Sequence, residues 1–168
     1  MANESVRILG LDPGLRRTGW GVIVSEGARL RWVAHGVVTP PEAAPLSQRL
    51  LHLMEALAII CADHGCEEAA VEEVFVNANP QSTLKLGQAR GIALLAPAEA
   101  GLAIGEYAPN AVKKTVVGVG HAGKEQVQHM VGLMLNLGGK LQADQRTVGV
   151  THETPQLADA QRIEHGAE

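Results

Sequence analysis

The stretch Arg7-Ile8-Leu9-Gly10-Leu11-Asp12-Pro13-Gly14 decides how this chain is read. Its aliphatic run, Arg7 to Leu11, has the pattern of a buried strand. One carboxylate ends the run. Pro13 cannot donate to a strand ladder, and Pro-Gly punctuates the strand's end. Asp12 is thereby set at the lip of a sheet, fixed in direction and open to solvent. That placement suits a metal-binding carboxylate. It equally suits a turn Asp that bonds its own backbone.

Working outward, Thr18 to Val24 and Leu30 to Val38 read as two further strands, with Ser25-Glu26-Gly27-Ala28 as the turn between them. Short connections imply a three-stranded antiparallel meander. Leu46, Leu50, Leu53, Leu57 and Ile60 recur at helical spacing, so a helix is expected over Leu46–Cys61, ended near Gly65. A fourth strand, Ala69–Phe75, follows it, and a helix between two strands implies a parallel pairing with the first. Asn79-Pro80 has the signature of an N-cap with Pro at the first helical position, opening a helix that runs to about Ala100. Leu102–Tyr107 is a fifth, short strand. Helices are expected over Ala111–Val117, capped by Pro109-Asn110, and over Lys124–Leu137. From about residue 139 the signals degrade: 142–152 is a poor helix by propensity, and 157–163 could form a short final one. The whole reads as one α/β domain over 1–168, a mixed five-stranded sheet flanked by helices, with an atypical C-terminal segment.

Composition narrows the class. The chain has 168 residues, 46% of them hydrophobic, so a packed globular core is expected. Aromatics make up only 2%, which leaves the core to Val, Leu, Ile and Ala. The formal charge of -4 argues mildly against a nucleic-acid partner, although a local basic face can bind phosphate on an acidic protein. Cys61 and Cys66 make no disulfide framework and no zinc motif, and they read as free thiols. No signal peptide opens the chain and no apolar run could span a bilayer, so a cytoplasmic protein without membrane association is expected. Gly118-Val119-Gly120 follows no strand and lacks a properly placed third glycine, which excludes a dinucleotide fingerprint.

An Asp on the first strand, a Glu on a later central strand and an acid near the C-terminus form the donor set of two-metal phosphodiester chemistry. Mg²⁺ takes hard oxygen ligands, one or two carboxylates per ion. Two such ions activate a water and stabilise the leaving oxygen. Asp12, Glu72 or Glu73, and Asp144 fit that scheme, and strand alternation alone does not choose between the two glutamates.

Several blocks together resemble the RuvC-type Holliday-junction resolvases. They are Gly10-Leu11-Asp12-Pro13-Gly14 with Thr18-Gly19-Trp20-Gly21, Val71-Glu72-Glu73-Val74-Phe75, Leu84 to Gly91, Val112 to Gly118, and Lys124 to Met130. The likeness runs from about Val6 to Leu137. It implies a ribonuclease-H-like fold, a homodimer, and structure-selective, Mg²⁺-dependent cleavage of four-way DNA junctions in recombination and repair. Two Mg²⁺ per subunit, replaceable by Mn²⁺, and work with a branch-migration complex of the RuvA and RuvB kind are also implied. Carried over residue by residue, Asp12 and Glu72 match the first two catalytic and metal-binding acids. Lys113 and Lys124 match basic residues near the family's site, and Phe75 an aromatic that stacks on a base. The bland readings are a solvated helix face for the two lysines and a core position for Phe75. Lys85 and Arg90, in the Leu84–Gly91 block, are further DNA-binding candidates, and the cations Arg16, Arg17 and Lys114 are expected to gather around the site with them.

The likeness departs at the C-terminal acids. The family pattern has two Asp residues three apart on one helix. Here Asp144 stands alone, with Leu141 three before and Thr147 three after. Asp159, His121 or His152 could substitute. One missing ligand implies weaker metal binding and reduced activity, so a catalytically impaired junction-binding protein of the same fold is the competing reading. An actin-like ATPase also opens on an Asp-x-Gly turn, but 168 residues are too few for its two lobes.

Overall fold

The computed structural model describes residues 5–74, 79–137 and 146–147. The quoted stretch is β1 (Ser5–Asp12), third in a sheet ordered β5-β4-β1-β2-β3-β6. The meander is present: β2 (Thr18–Glu26) pairs antiparallel with β1, and β3 (Arg29–Val38) with β2. Helix α1 (Leu46–His64) crosses to β4 (Glu68–Glu72), which lies parallel to β1 with Leu9 opposite Ala69 and Leu11 opposite Val71. Helix α2 (Pro80–Glu99) leads to β5 (Ala103–Tyr107), parallel to β4 with Glu72 opposite Tyr107. Then come α3 (Pro109–Val117) and α4 (Lys124–Met134). To the five expected strands the structure adds a two-residue β6 (Arg146–Thr147), parallel to the free edge of β3.

Strand alternation sorts the sheet into two faces. Leu9, Leu11, Trp20, Val22, Ala69 and Val71 point to one side and are buried with Leu53, Ala56, Leu57 and Ile60 of α1. Each large side chain withdrawn from water there contributes about 1.5–3 kcal/mol. From α2 the core receives Ala89, Ala93 and Ala96, small residues that let the helix lie close. The other face carries Gly10, Asp12, Gly19, Ala70 and Glu72, which border an open cleft.

The helix ends follow the local chemistry read from the sequence. Gly65 adopts a left-handed conformation (φ 55°) after α1, and its neighbour Cys66 donates to the Cys61 carbonyl. Asn79 Oδ1 accepts from the amides of Gln81 and Ser82, with Pro80 at the first helical position. Some boundaries differ. α1 continues three residues past Cys61, α3 begins at Pro109 rather than Ala111, and α4 ends at Met134 rather than Leu137. β4 stops at Glu72 instead of Phe75. Its neighbours run out there: β1 ends at Asp12-Pro13, and β5 offers one last acceptor, the Tyr107 carbonyl, to the Glu73 amide (2.9 Å) before the chain turns into α3. Phe75 and Asp144 lie outside the described residues, as do Asp159 and His152.

Candidate active site

The site is built at the carboxyl ends of β1 and β4, where open α/β sheets place their ligands. Gly10 faces Ala70 across the parallel pair, so Asp12 and Glu72, each two residues on, share a face. Neighbouring strands lie about 4.8 Å apart, which puts the two carboxylates within reach of one cation. Glu73 lies one residue past the end of β4 and is not among the residues lining the cleft. The register thus resolves what spacing left open: Glu72 borders the cleft with Asp12, and Glu73 does not.

The turn that follows Asp12 is held rigidly. Thr18, fully buried, donates its hydroxyl to the Gly14 carbonyl (2.8 Å) and accepts from the Gly14 amide (3.2 Å). Arg49 reaches over from α1 to donate to the Leu15 carbonyl at 3.0 Å. Gly14 is required in this turn, because a Cβ there would lie 2.5 Å from the Arg17 carbonyl oxygen. Asp12 is therefore aimed by backbone constraints on both sides.

The electrostatics are those of an anionic site with cations at its rim. Asp12 stays exposed, yet the cleft walls withdraw enough water to raise its carboxyl above the ordinary value, and the Lys124 ammonium opposes the rise. Glu72 is raised by desolvation first and by the negative charge of Asp12 second, against the pull of Lys113. Lys113 on α3 and Lys124 at the start of α4 thus both act on the acid pair. A hard divalent cation fits such a donor set: two oxygen ligands that repel each other while empty-handed. Among the described residues no third His, Cys, Asp or Glu joins them as a metal cluster, and His121 is exposed on the loop before α4.

The remaining candidates are not all gathered here. Lys85 lines a separate groove beside the Gly14–Arg17 turn, together with Arg16 and Arg17. Arg90 is on the opposite side of the sheet, where its guanidinium pairs with Glu106. Glu106 stands opposite Val71 in the register and so belongs to the helix face. The cleft also has members that sequence reasoning missed. Tyr107, opposite Glu72, forms one wall and is half-exposed, with Val112 of α3 beside it. The Tyr107 ring lies over Gly105, where any Cβ would meet its hydroxyl at 2.7 Å. The available signal was position: a tyrosine closing a parallel strand, directly before a Pro-led helix.

The mixed sheet flanked by helices, with paired acids at the carboxyl ends of β1 and β4, places the chain among proteins of the ribonuclease-H-like fold. Within that class it belongs to the RuvC family: residues 8–152 match the family model for crossover junction endodeoxyribonuclease RuvC. It is 57% identical to the crossover junction endodeoxyribonuclease RuvC of Azorhizobium caulinodans over 155 residues, covering 90% of this chain and 92% of that one. The RuvC of Maricaulis maris is 61% identical over 140 residues, 83% of this chain and 84% of the relative. A solved structure of T. thermophilus RuvC in complex with a Holliday junction substrate superposes with a TM-score of 0.73 at 32% identity, over 79% of this chain and 81% of that one.

Proposed function

We propose that this protein is a structure-selective endonuclease that resolves four-way DNA junctions in recombination and repair. The observation that carries the reading is the pairing of Asp12 with Glu72 on one sheet face, with Lys124 and Lys113 acting on them. Relatives of 53–61% identity named as crossover junction endodeoxyribonucleases support it, as does the fold shared with a RuvC bound to a Holliday junction.

Asp12 and Glu72 would hold Mg²⁺, two ions when Asp144 contributes, and Mn²⁺ would substitute. When bound, the metal supplies an activated water and offsets charge on the leaving oxygen. The chain's own residues do the rest. Lys113 and Lys124 hold the phosphate against the acid pair, Tyr107 and Val112 wall off one side of the cleft, and the clamped Asp12–Thr18 turn keeps the first ligand in place. Phase-matched cuts need two sites, so the working unit is a homodimer whose two-fold axis meets the junction's own symmetry. Helix α2 suits the dimer contact: Leu84, Gly87, Gly91 and Leu95 form an exposed stripe, and nothing lies within 4 Å of a Cβ built at either glycine. DNA enters through a branch-migration complex of the RuvA and RuvB kind, in the cytoplasm.

The test is a labelled synthetic four-way junction incubated with Mg²⁺ or Mn²⁺, with binding measured on the same samples for the wild type and Asp12→Asn. Paired nicks by the wild type alone are expected, with binding kept in the variant. Binding without nicks in either metal would leave a junction-binding protein of this fold.

A further inference from the structure

We infer that the groove beside the Gly14–Arg17 turn is a second phosphate-binding site, which grips the DNA strand as it leaves the cleft. This rests on the junction-nuclease reading and adds to it a site distinct from the catalytic carboxylates. The groove has a volume of about 630 Å³ and is walled by the β1–β2 turn, α1 and the first turns of α2. Half of its eight lining residues are cations: Arg16, Arg17, Arg49 and Lys85. None is an acid, in a chain where Asp and Glu outnumber Lys and Arg 18 to 14. Three separate elements therefore bring positive charge to one concavity of an acidic protein.

These cations are largely uncommitted. Among the described residues, Arg17 and Lys85 have no ion pair, and Arg16 has only a long, fully solvated one with Glu42 (3.6 Å). Arg49 gives one nitrogen to the Leu15 carbonyl, while its buried Nε has no partner among the described residues. Exposed acids could have neutralised such a cluster at little cost, so leaving most of it unpaired points to an anion from outside. Position identifies that anion. Gly14 lines the groove and Asp12 lines the cleft, so the two sites flank a single rigid ridge two residues wide. A strand whose phosphate sits against Asp12 and Glu72 and that continues across this turn brings its next phosphates to Arg17 and Lys85. The ligand is the phosphodiester backbone, read by charge and not by base, since the groove offers no aromatic side chain.

The experiment is the salt dependence of junction binding, with Ca²⁺ in place of Mg²⁺ so that the DNA stays intact. The proteins are the wild type, the double variant Arg17→Ala/Lys85→Ala, the charge-keeping Arg17→Lys/Lys85→Arg, and Arg29→Ala/Arg31→Ala at the far end of the sheet. Each phosphate contact contributes about 0.9 to the slope of log affinity against log salt. The alanine pair should lower that slope by about 1.8, so that the affinity lost between about 50 and 200 mM salt shrinks roughly twelvefold. The charge-keeping pair and the Arg29/Arg31 pair should keep the wild-type slope. An alanine pair with an unaltered slope, or an equal fall in the Arg29/Arg31 pair, overturns the groove site alone. A wild type that binds no junction overturns the nuclease reading itself.

Discussion

Glu72 and Glu73 are adjacent and chemically identical, so exchanging each for Gln isolates what direction alone contributes. Glu72→Gln removes one of the two carboxylates that share the open face; Glu73→Gln removes an acid just past β4 that does not line the cleft. A metal bound by few protein ligands contributes several kcal/mol of transition-state stabilisation. Losing about 3–4 kcal/mol of it corresponds to a fall of roughly 10²- to 10³-fold, at 1.36 kcal/mol per tenfold. Glu73→Gln should stay within about twofold. Stability should move the other way. The Glu72 carboxyl is raised by desolvation and by Asp12, so the folded state holds its proton more tightly than the unfolded chain does. Its contribution to stability is complete below the unfolded value and is lost as pH rises through the folded one. At neutral pH and without metal the ionised side chain is therefore a net burden, which Gln relieves. Because the side chain is only half-buried, solvent screening keeps the gain under about 1 kcal/mol, or roughly 2–4 °C in Tm for a chain of this length. Single-turnover nicking of a junction and metal-free thermal melting read the two effects. Equal losses of activity in both variants, or greater loss in Glu73→Gln, would refute the assignment of faces.

Other outcomes follow from single contacts. Lys124→Gln removes the charge that holds the Asp12 carboxyl down, so the acid limb of the pH–rate profile should move to higher pH; a limb that moves down or stays put contradicts the contact. Thr18→Val keeps the volume and removes both bonds to Gly14, and should cost about 1–3 kcal/mol in urea unfolding, since the Gly14 amide is left unpaired. Tyr107→Ala opens the wall beside Glu72 and should slow nicking more than it weakens junction binding, whereas a pure loss of binding would remove Tyr107 from the cleft's work. The Cys66 thiol is pushed up from 9.0 to about 11 by burial, then by Cys61. Stability linked to it should be intact below pH 9 and lost as pH rises through about 11, and Cys66→Ser should flatten that loss.

The parts of this fold that local chemistry specifies could be read directly from the chain. Gly65 and Asn79-Pro80 marked helix ends because their backbone and capping preferences are local. Leu46 to Ile60 betrayed α1 by period. Asp12 stood out because a carboxylate ends an apolar run before Pro-Gly. What escaped depended on register and on partners far along the chain. Residue type and spacing left Glu72 and Glu73 equivalent, and only the resemblance to the RuvC family singled out Glu72; its place on the cleft face follows from the parallel alignment of Gly10 with Ala70. The end of β4 was set by where β5 stops, and Tyr107 joined the cleft only through that same pairing. Arg90 looked like a DNA contact within a basic, glycine-containing block, but its face was fixed by Glu106. The cations at positions 16, 17 and 85 were expected around the acids. They collect instead across the ridge, because α2 starts on the helix side of the sheet.

The central claim is that Asp12 and Glu72 form a metal-dependent cutting site for branched DNA. It is tested most directly by the single-turnover cleavage of a four-way junction and of a linear duplex with the same arm sequences, each with Mg²⁺ and with EDTA. The account predicts cuts in the junction alone, only with metal, and none from Asp12→Asn. Cuts that persist in EDTA or in that variant, or that appear equally in the duplex, would contradict it.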